Sequence, residues 1–189
     1  MLGWQWVDVV GSGSMLLTGT FVRTIDDKQR IAVPKPVRDS LGFPCQKVLY
    51  LAPGTDSCIQ LYPEDVFMDL AAQLGRASPT GQDVRAFSRM FYAQAQRVEI
   101  DRQGRLRVPV ELAEFGRLAR EVVLLGVRDH LELWNRDQWS SYLAETQPRY
   151  DEIAENAFGQ PPPTGGSGHV STTTEAKPTQ ESLRSSRPR

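Results

Sequence analysis

Two aspartate–arginine pairs dominate the residues of this chain that can do chemistry. Asp26 precedes Arg30 and Asp101 precedes Arg105, each pair at the mouth of a short apolar run that closes in proline, Pro34 or Pro109. Three chemistries fit. Two carboxylates brought together share a proton and work as acid and base. An arginine fixed behind a turn is a rigid fork suited to bidentate contact with guanine O6 and N7, which discriminates by roughly 1–3 kcal/mol. An intramolecular Asp–Arg pair can also simply brace the turn, and the spacing does not separate bracing from reading. For the aspartates the neighbours favour bracing. Lys28 and Arg30, or Arg102 and Arg105, follow them where a substrate site would need small residues, and a carboxylate at a strand end accepts turn N–H groups by habit.

The rest of the catalytic inventory is thin. The histidines are His130, on an alternating apolar run, and His169, near the C-terminal end, so a serine or cysteine nucleophile has no base. His130 stands where the other copy of the repeat described below has Cys58, which favours a structural role. Cys45 and Cys58 have neither a paired zinc-ligand spacing nor a disulfide-framework count, and read as small core residues. The expectation is a protein that is not an enzyme, with no metal, no cofactor and no small-molecule substrate.

Positioning of the two pairs follows from an internal repeat. Ile25 to Pro34 aligns with Ile100 to Pro109, with Ile, Asp, Arg, Val and Pro identical in register. Downstream, Lys47 to Tyr50 aligns with Val122 to Leu125, Cys58 to Tyr62 with His130 to Trp134, and Phe67 with Trp139. Each half needs the other to bury its apolar face. Within each half the pattern predicts a first strand (Thr20 to Ile25; Arg97 to Ile100), a polar turn, and a short second strand (Arg30 to Val33; Arg105 to Val108). A short helix follows (Pro36 to Leu41; Val110 to Phe115), with Gly42 or Gly116 as a left-handed cap. Then come a hairpin, whose connections differ by about three residues, and an amphipathic helix (Glu64 to Leu74; Asp137 to Glu145). A helix over Gln82 to Gln96 joins the halves. The fold class is α+β.

The organisation expected is an N-terminal extension at 1–14, a first repeat at 15–80, a connecting helix at 81–96 and a second repeat at 97–147. A C-terminal helix at 148–158 and a disordered tail at 159–189, rich in Pro, Gly, Ser and Thr, complete it. Met15 reads as the natural start, and no secretory signal pattern precedes it. No apolar run approaches the length needed to cross a bilayer, so a membrane partner is not expected and the cytoplasm is the default location. Net charge is −1 overall and −3 without the tail, which gives DNA binding no global support. Local charge does: Arg23, Lys28, Arg30, Lys35 and Arg38 cluster in the first repeat, and Arg102, Arg105 and Arg107 in the second. Arg30 and Arg105 are the candidate base readers, and Lys28, Lys35, Arg38, Arg102 and Arg107 the candidate phosphate contacts.

Together these blocks resemble the MraZ family of bacterial transcriptional regulators, built from two SpoVT/AbrB-type units. The marks are Ile25 to Arg30 before Ile31 to Pro34, Arg89 to Ala93, Ile100 to Arg105 before Leu106 to Pro109, Glu121 to Val127, and Leu131 to Trp134. The resemblance covers about Met15 to Gln147. It implies a swapped-hairpin β-barrel made by both halves, assembly into a ring-shaped homo-oligomer, and binding of double-stranded DNA at promoter direct repeats upstream of the division and cell-wall gene cluster. Repression and autoregulation at the nucleoid follow from it, with the Arg30 and Arg105 motif arginines as DNA contacts. Related AbrB-type barrels that capture a toxin through a disordered tail make an antitoxin-like interaction module the alternative; the tail here offers only Val170 and Leu183 as large apolar anchors. The family usually has glycine before the motif arginine. Here Gly104 keeps it and Gln29 does not, so Gln29 must adopt a positive φ at some cost or the first turn changes shape.

Overall fold

The computed structural model describes residues 16–76 and 81–159; the expectations for 1–14 and for the tail from 160 onward lie outside the described residues. The chain divides into two units, 1–148 and 149–189. In the first, the elements in order are β1 (Thr20–Thr24), β2 (Arg30–Ala32), α1 (Lys35–Ser40), β3 (Val48–Pro53), β4 (Ile59–Pro63), α2 (Glu64–Arg76) and α3 (Gln82–Gln94). The second half follows with β5 (Gln96–Glu99), β6 (Arg105–Arg107), α4 (Val110–Phe115), β7 (Glu121–Val127), β8 (His130–Asn135) and α5 (Arg136–Thr146). The described part of the second unit is essentially one helix, α6 (Tyr150–Gly159).

The strands form an antiparallel six-stranded sheet in the order β1-β7-β8-β4-β3-β5 and a separate two-stranded ribbon, β2-β6. Exchanging the repeats reverses that order onto itself. Each repeat keeps its own hairpin, β3-β4 or β7-β8, but its first strand pairs with the other repeat's hairpin: β1 with β7, β5 with β3. The pseudo-twofold axis runs where equivalent residues face each other, at Gln60 and Glu132 between β4 and β8, and at Ile31 and Leu106 in the ribbon. The resemblance leads one to expect a barrel; the hydrogen-bonded strands make two ladders, and among the described residues no closed ring of strands joins them.

Alternation along the strands builds two layers. Leu49, Leu51, Ile59, Leu61, Val122, Leu124, Leu131 and Leu133 point from the sheet into one core. Ile31 and Leu106 close that core from the ribbon, with Val37 and Leu112 from the short helices. A two-stranded ribbon is marginal alone, and these two fully buried side chains, each contributing about 1.5–3 kcal/mol of burial, tie it to the sheet. The opposite sheet face is covered by α2 and α3 through Tyr50, Ala52, Tyr62, Phe67 and Phe91, and by α5 through Trp139 against Trp134.

Register departs from the repeat alignment at one place. Val98 faces Leu49 while its counterpart Arg23 faces Val122, so Leu49, Tyr50 and Leu51 correspond to Val122, Val123 and Leu124, two residues later than the sequence match suggests. The extra length of the first repeat therefore sits mostly between α1 and β3, where the Phe43–Pro44 bond is cis, and only one residue of it lies in the hairpin. The short helices end alike. Phe43 and Gly42 N–H groups donate to Arg38 and Asp39 carbonyls, and Leu118 and Arg117 N–H groups to Ala113 and Glu114, the paired bonds of a Schellman ending. The left-handed residues are Gly42 (φ 74°) and Arg117 (φ 47°). Gly116, expected in that role, has φ −76°; a Cβ there would stand 3.2 Å from Ile59 Cγ1, a tight contact.

Candidate nucleic-acid interface

Each Asp–Arg pair is a closed turn. Asp26 Oδ1 accepts the N–H groups of Lys28 and Arg30, both at 2.9 Å, while Oδ2 accepts Arg30 Nε at 2.9 Å and faces Nη2 at 2.7 Å. In the second copy Asp101 Oδ1 accepts the N–H groups of Gln103 at 2.8 Å and Arg105 at 2.9 Å, and Oδ2 accepts Arg105 Nε at 3.4 Å. Arg105 also donates through Nη2 to Gln103 Oε1. The Arg30 side chain, with the turn N–H groups, pulls the Asp26 carboxyl down to about 2. Asp101 is lowered chiefly by the Arg105 N–H. A dyad sharing a proton needs one carboxyl raised; both are held ionised by their own turns.

Both turns need a left-handed residue before the arginine, and Gln29 (φ 59°) supplies it in the first as Gly104 (φ 75°) does in the second. The surroundings of the two positions differ on the side of the short helices. A Cβ on Gly104 would stand 2.5 Å from Arg38 Nη1 and 2.7 Å from its Cζ, whereas the position equivalent to Arg38 is Ala113, too short to crowd a turn. Arg38, a candidate phosphate contact, lies across the second turn. Its guanidinium lies 5.5 Å from the Phe43 ring centre, and its Nε is shielded without a hydrogen-bond partner. Lys35 is exposed and paired with Asp39 at 2.6 Å.

The ribbon decides which guanidinium groups stand together. Arg30 faces Arg107 and Ala32 faces Arg105 across the two strands. Directly paired residues share a face, so Arg30, Arg105 and Arg107 all stand on the side opposite the buried Ile31 and Leu106. Arg30 and Arg105 are partly exposed, their side chains at 27% and 32%, and Arg107 is exposed. Lys28 and Arg102 are exposed at the two turns. Among the described residues, the side chains of Lys28, Arg102 and Arg107 make no ion pair or hydrogen bond. Two residues outside the predicted set shape this face. Gln103 holds Arg105 from within its turn, and Arg23 ties β1 to the ribbon by donating from Nε to the Ala32 carbonyl at 3.1 Å. Gln103 is hinted at only by its place inside the motif, and Arg23 by its membership of the basic cluster of the first repeat.

The remaining candidates differ in placement, with Cys58 buried and Cys45 exposed. His130 Nδ1 lies 2.8 Å from Asp129 and its ring stacks on Tyr62 at 5.1 Å. Burial pushes its pKa down, but Glu132 and Asp129 outweigh that and hold it above the ordinary value. Cys58 is buried, its thiol pushed up to about 12 by desolvation; Cys45, read as a core residue, is exposed. Among the described residues no group of three or more His, Cys, Asp and Glu could hold a metal ion, and no helix is long and apolar enough to cross a membrane.

Comparison with known proteins agrees with the repeat. The MraZ protein family, described as antitoxin-like, matches in two units, residues 16–90 and 91–160. The chain is 39% identical over 143 residues to the transcriptional regulator MraZ of Bifidobacterium longum, covering 76% of this chain and 93% of that protein. It is 36% identical over 140 residues to the transcriptional regulator MraZ of Moorella thermoacetica, covering 74% and 95%. With Lactiplantibacillus plantarum the same-named protein is 36% identical over 138 residues, covering 73% and 95%. A family match over both repeats, and relatives aligned along nearly their whole length, lead to one conclusion: the chain belongs to the MraZ family.

Proposed function

We propose that this chain is a sequence-specific DNA-binding transcriptional regulator, not an enzyme, that represses its own promoter and the division and cell-wall genes beside it. It works in the cytoplasm at the nucleoid, as a ring-shaped homo-oligomer on short direct repeats. The observation that carries this reading is the ribbon. A two-stranded ribbon fits the major groove, and this one sets Arg30, Arg105 and Arg107 on its outer face while its inner face is anchored in the core. The strand exchange between repeats 15–80 and 97–147, linked through α3, supports a swapped-hairpin body as the scaffold. In each turn the aspartate braces the backbone and orients the arginine, leaving the outer edge of the fork for a guanine, while Lys28 and Arg102 take the flanking phosphates. Lys35 and Arg38 contribute less, because one is paired and the other is packed. An acidic protomer holds DNA in this scheme because a ring repeats modest contacts at high effective concentration.

The test is a mobility-shift titration of the full chain on DNA from directly upstream of its own gene, over a salt series. Affinity should fall steeply with salt. Arg105→Ala should lose roughly 1–3 kcal/mol on the cognate site and little on scrambled DNA, whereas Lys28→Ala should weaken both alike. Equal losses on both DNAs for both variants would remove the readout.

A further inference from the structure

A perfectly twofold ribbon presents the same face in either direction, so it binds a given site equally well in both orientations. Here repeat exchange maps Arg30 onto Arg105 and Ile31 onto Leu106, but Ala32 onto Arg107. One end of the ribbon therefore carries two guanidinium groups side by side, Arg30 and Arg107, and the other end carries Arg105 beside a methyl group. Nothing within the fold accounts for Arg107. It is exposed, makes no ion pair or side-chain hydrogen bond among the described residues, and faces another arginine, an arrangement that costs stability unless an anion lies over both. Arg30 is held by Asp26, so the second cation is the unsatisfied one. The turns differ too, Asp27 and Lys28 against Arg102 and Gln103, yet each supplies one exposed cation at the rim; the ribbon face, nearest the groove floor, differs by a whole arginine.

We propose that Arg107 determines orientation: it gives the pseudo-twofold ribbon a direction on the duplex by reading a base beside the one read by Arg30, at a place where the opposite orientation offers only Ala32. This rests on the DNA-binding reading above and assigns Arg107 to the groove, not to the phosphate rim.

Cys45 makes the direction measurable. It is exposed while Cys58 is buried, so an iron–EDTA reagent attaches at one point. Its neighbours Phe43, Pro44 and Lys47 line one groove with Asp101 and Arg102, which puts the label at the second-turn end. The probe is a duplex recovered by the labelled full-length protein from a randomised library. On it, radical cleavage should fall on one flank of the recovered sequence, in excess over the other by roughly 5- to 150-fold, the ratio one good arginine contact supplies. Arg107→Ala should bring the flanks close to equal, and Ala32→Arg alone should do the same by completing the second pair. The swap A32R/R107A should move cleavage to the opposite flank. Cleavage as one-sided in R107A as in the unmodified chain, or unmoved in the swap, overturns the proposal while leaving DNA binding intact. Recovery of no duplex above background overturns the binding reading and this inference with it.

Discussion

Gly104→Ala tests how the second turn is built. Two costs can be worked out. An L-residue in the left-handed region is about 1–2 kcal/mol less stable than in ordinary backbone. Replacing glycine also removes unfolded-state freedom and returns about 0.4–1 kcal/mol, leaving roughly 0.5–1 kcal/mol of net backbone cost. The new Cβ would also stand 2.5 Å from Arg38 Nη1, so the guanidinium must leave Phe43, losing a cation–π contact of about 0.5–1 kcal/mol. The sum is about 1–2 kcal/mol, read as a shift of the urea midpoint at fixed protomer concentration. In an Arg38→Ala background only the backbone part should remain, so a double-mutant cycle should show coupling of about 0.5–1 kcal/mol. Gln29→Gly, at the equivalent left-handed position without an arginine above it, should stabilise by that same backbone part, about 0.5–1 kcal/mol, as relief of strain exceeds the gain of unfolded freedom. Coupling near zero would show that Arg38 is not what Gly104 accommodates. A costless Gly104→Ala would remove the left-handed requirement altogether.

Three further outcomes follow from the same structure. Gly126→Ala should be among the most damaging small changes, about 3 kcal/mol or more, because its Cβ would stand 2.4 Å from the Thr18 backbone nitrogen and 2.6 Å from the Leu17 carbonyl carbon, which cannot swing aside as a side chain can; native-like thermal unfolding of that variant would contradict the close approach. Thiol titration of the native protein near neutral pH should count one reactive group per chain, Cys45, with Cys58 appearing only on unfolding, since its thiol is buried and raised to about 12. The Asp26 carboxyl is depressed, so its contribution is complete above the ordinary aspartate pKa and is lost as pH falls through about 2. The stability gap between the native chain and Asp26→Asn, measured by denaturation from pH 6 to 2, should accordingly be full at pH 5 and narrow below pH 4; a gap that persists unchanged at pH 2 would separate it from ionisation.

Much of this architecture was legible because the repeat preserves residues that do local work. Asp26, Arg30 and Pro34 recur as Asp101, Arg105 and Pro109, and the turn, short strand and short helix they specify depend on neighbours within a few residues. What escaped was non-local or invariant to the pattern being read. A slip of two residues between β3 and β7 leaves every side chain on its proper face, because strand alternation has a period of two; the pairings of Leu49 with Val98 and of Val122 with Arg23 fix it. Gly116 has the sequence signature of a cap, yet it is not left-handed and packs beside Ile59 on a strand of the other repeat. Arg38 stands in the sequence as a candidate phosphate contact with nothing to mark its packing, because its neighbours are a turn far along the chain and a ring five residues on. Arg107 was visible as a charge, but its place beside Arg30 exists only through the antiparallel register of the ribbon.

The pseudo-twofold axis also explains where the two copies were free to diverge. A residue on the axis meets its own counterpart, so a strict repeat would set like against like. For Ile31 and Leu106 that is harmless, since two apolar side chains fill one core. For the pair at the sheet centre it is not: two glutamates face to face would repel, and one copy carries Gln60 against Glu132. The donors above them diverged in step, Tyr62 bonding Gln60 through its hydroxyl at 2.6 Å and Trp134 bonding Glu132 through its indole at 2.9 Å. One residue off the axis, self-contact no longer applies, and the copies differ by as much as alanine and arginine. The copies thus differ in charge at Ala32 and Arg107, next to the axis on the outward face of the ribbon, where neither residue has to match its own counterpart.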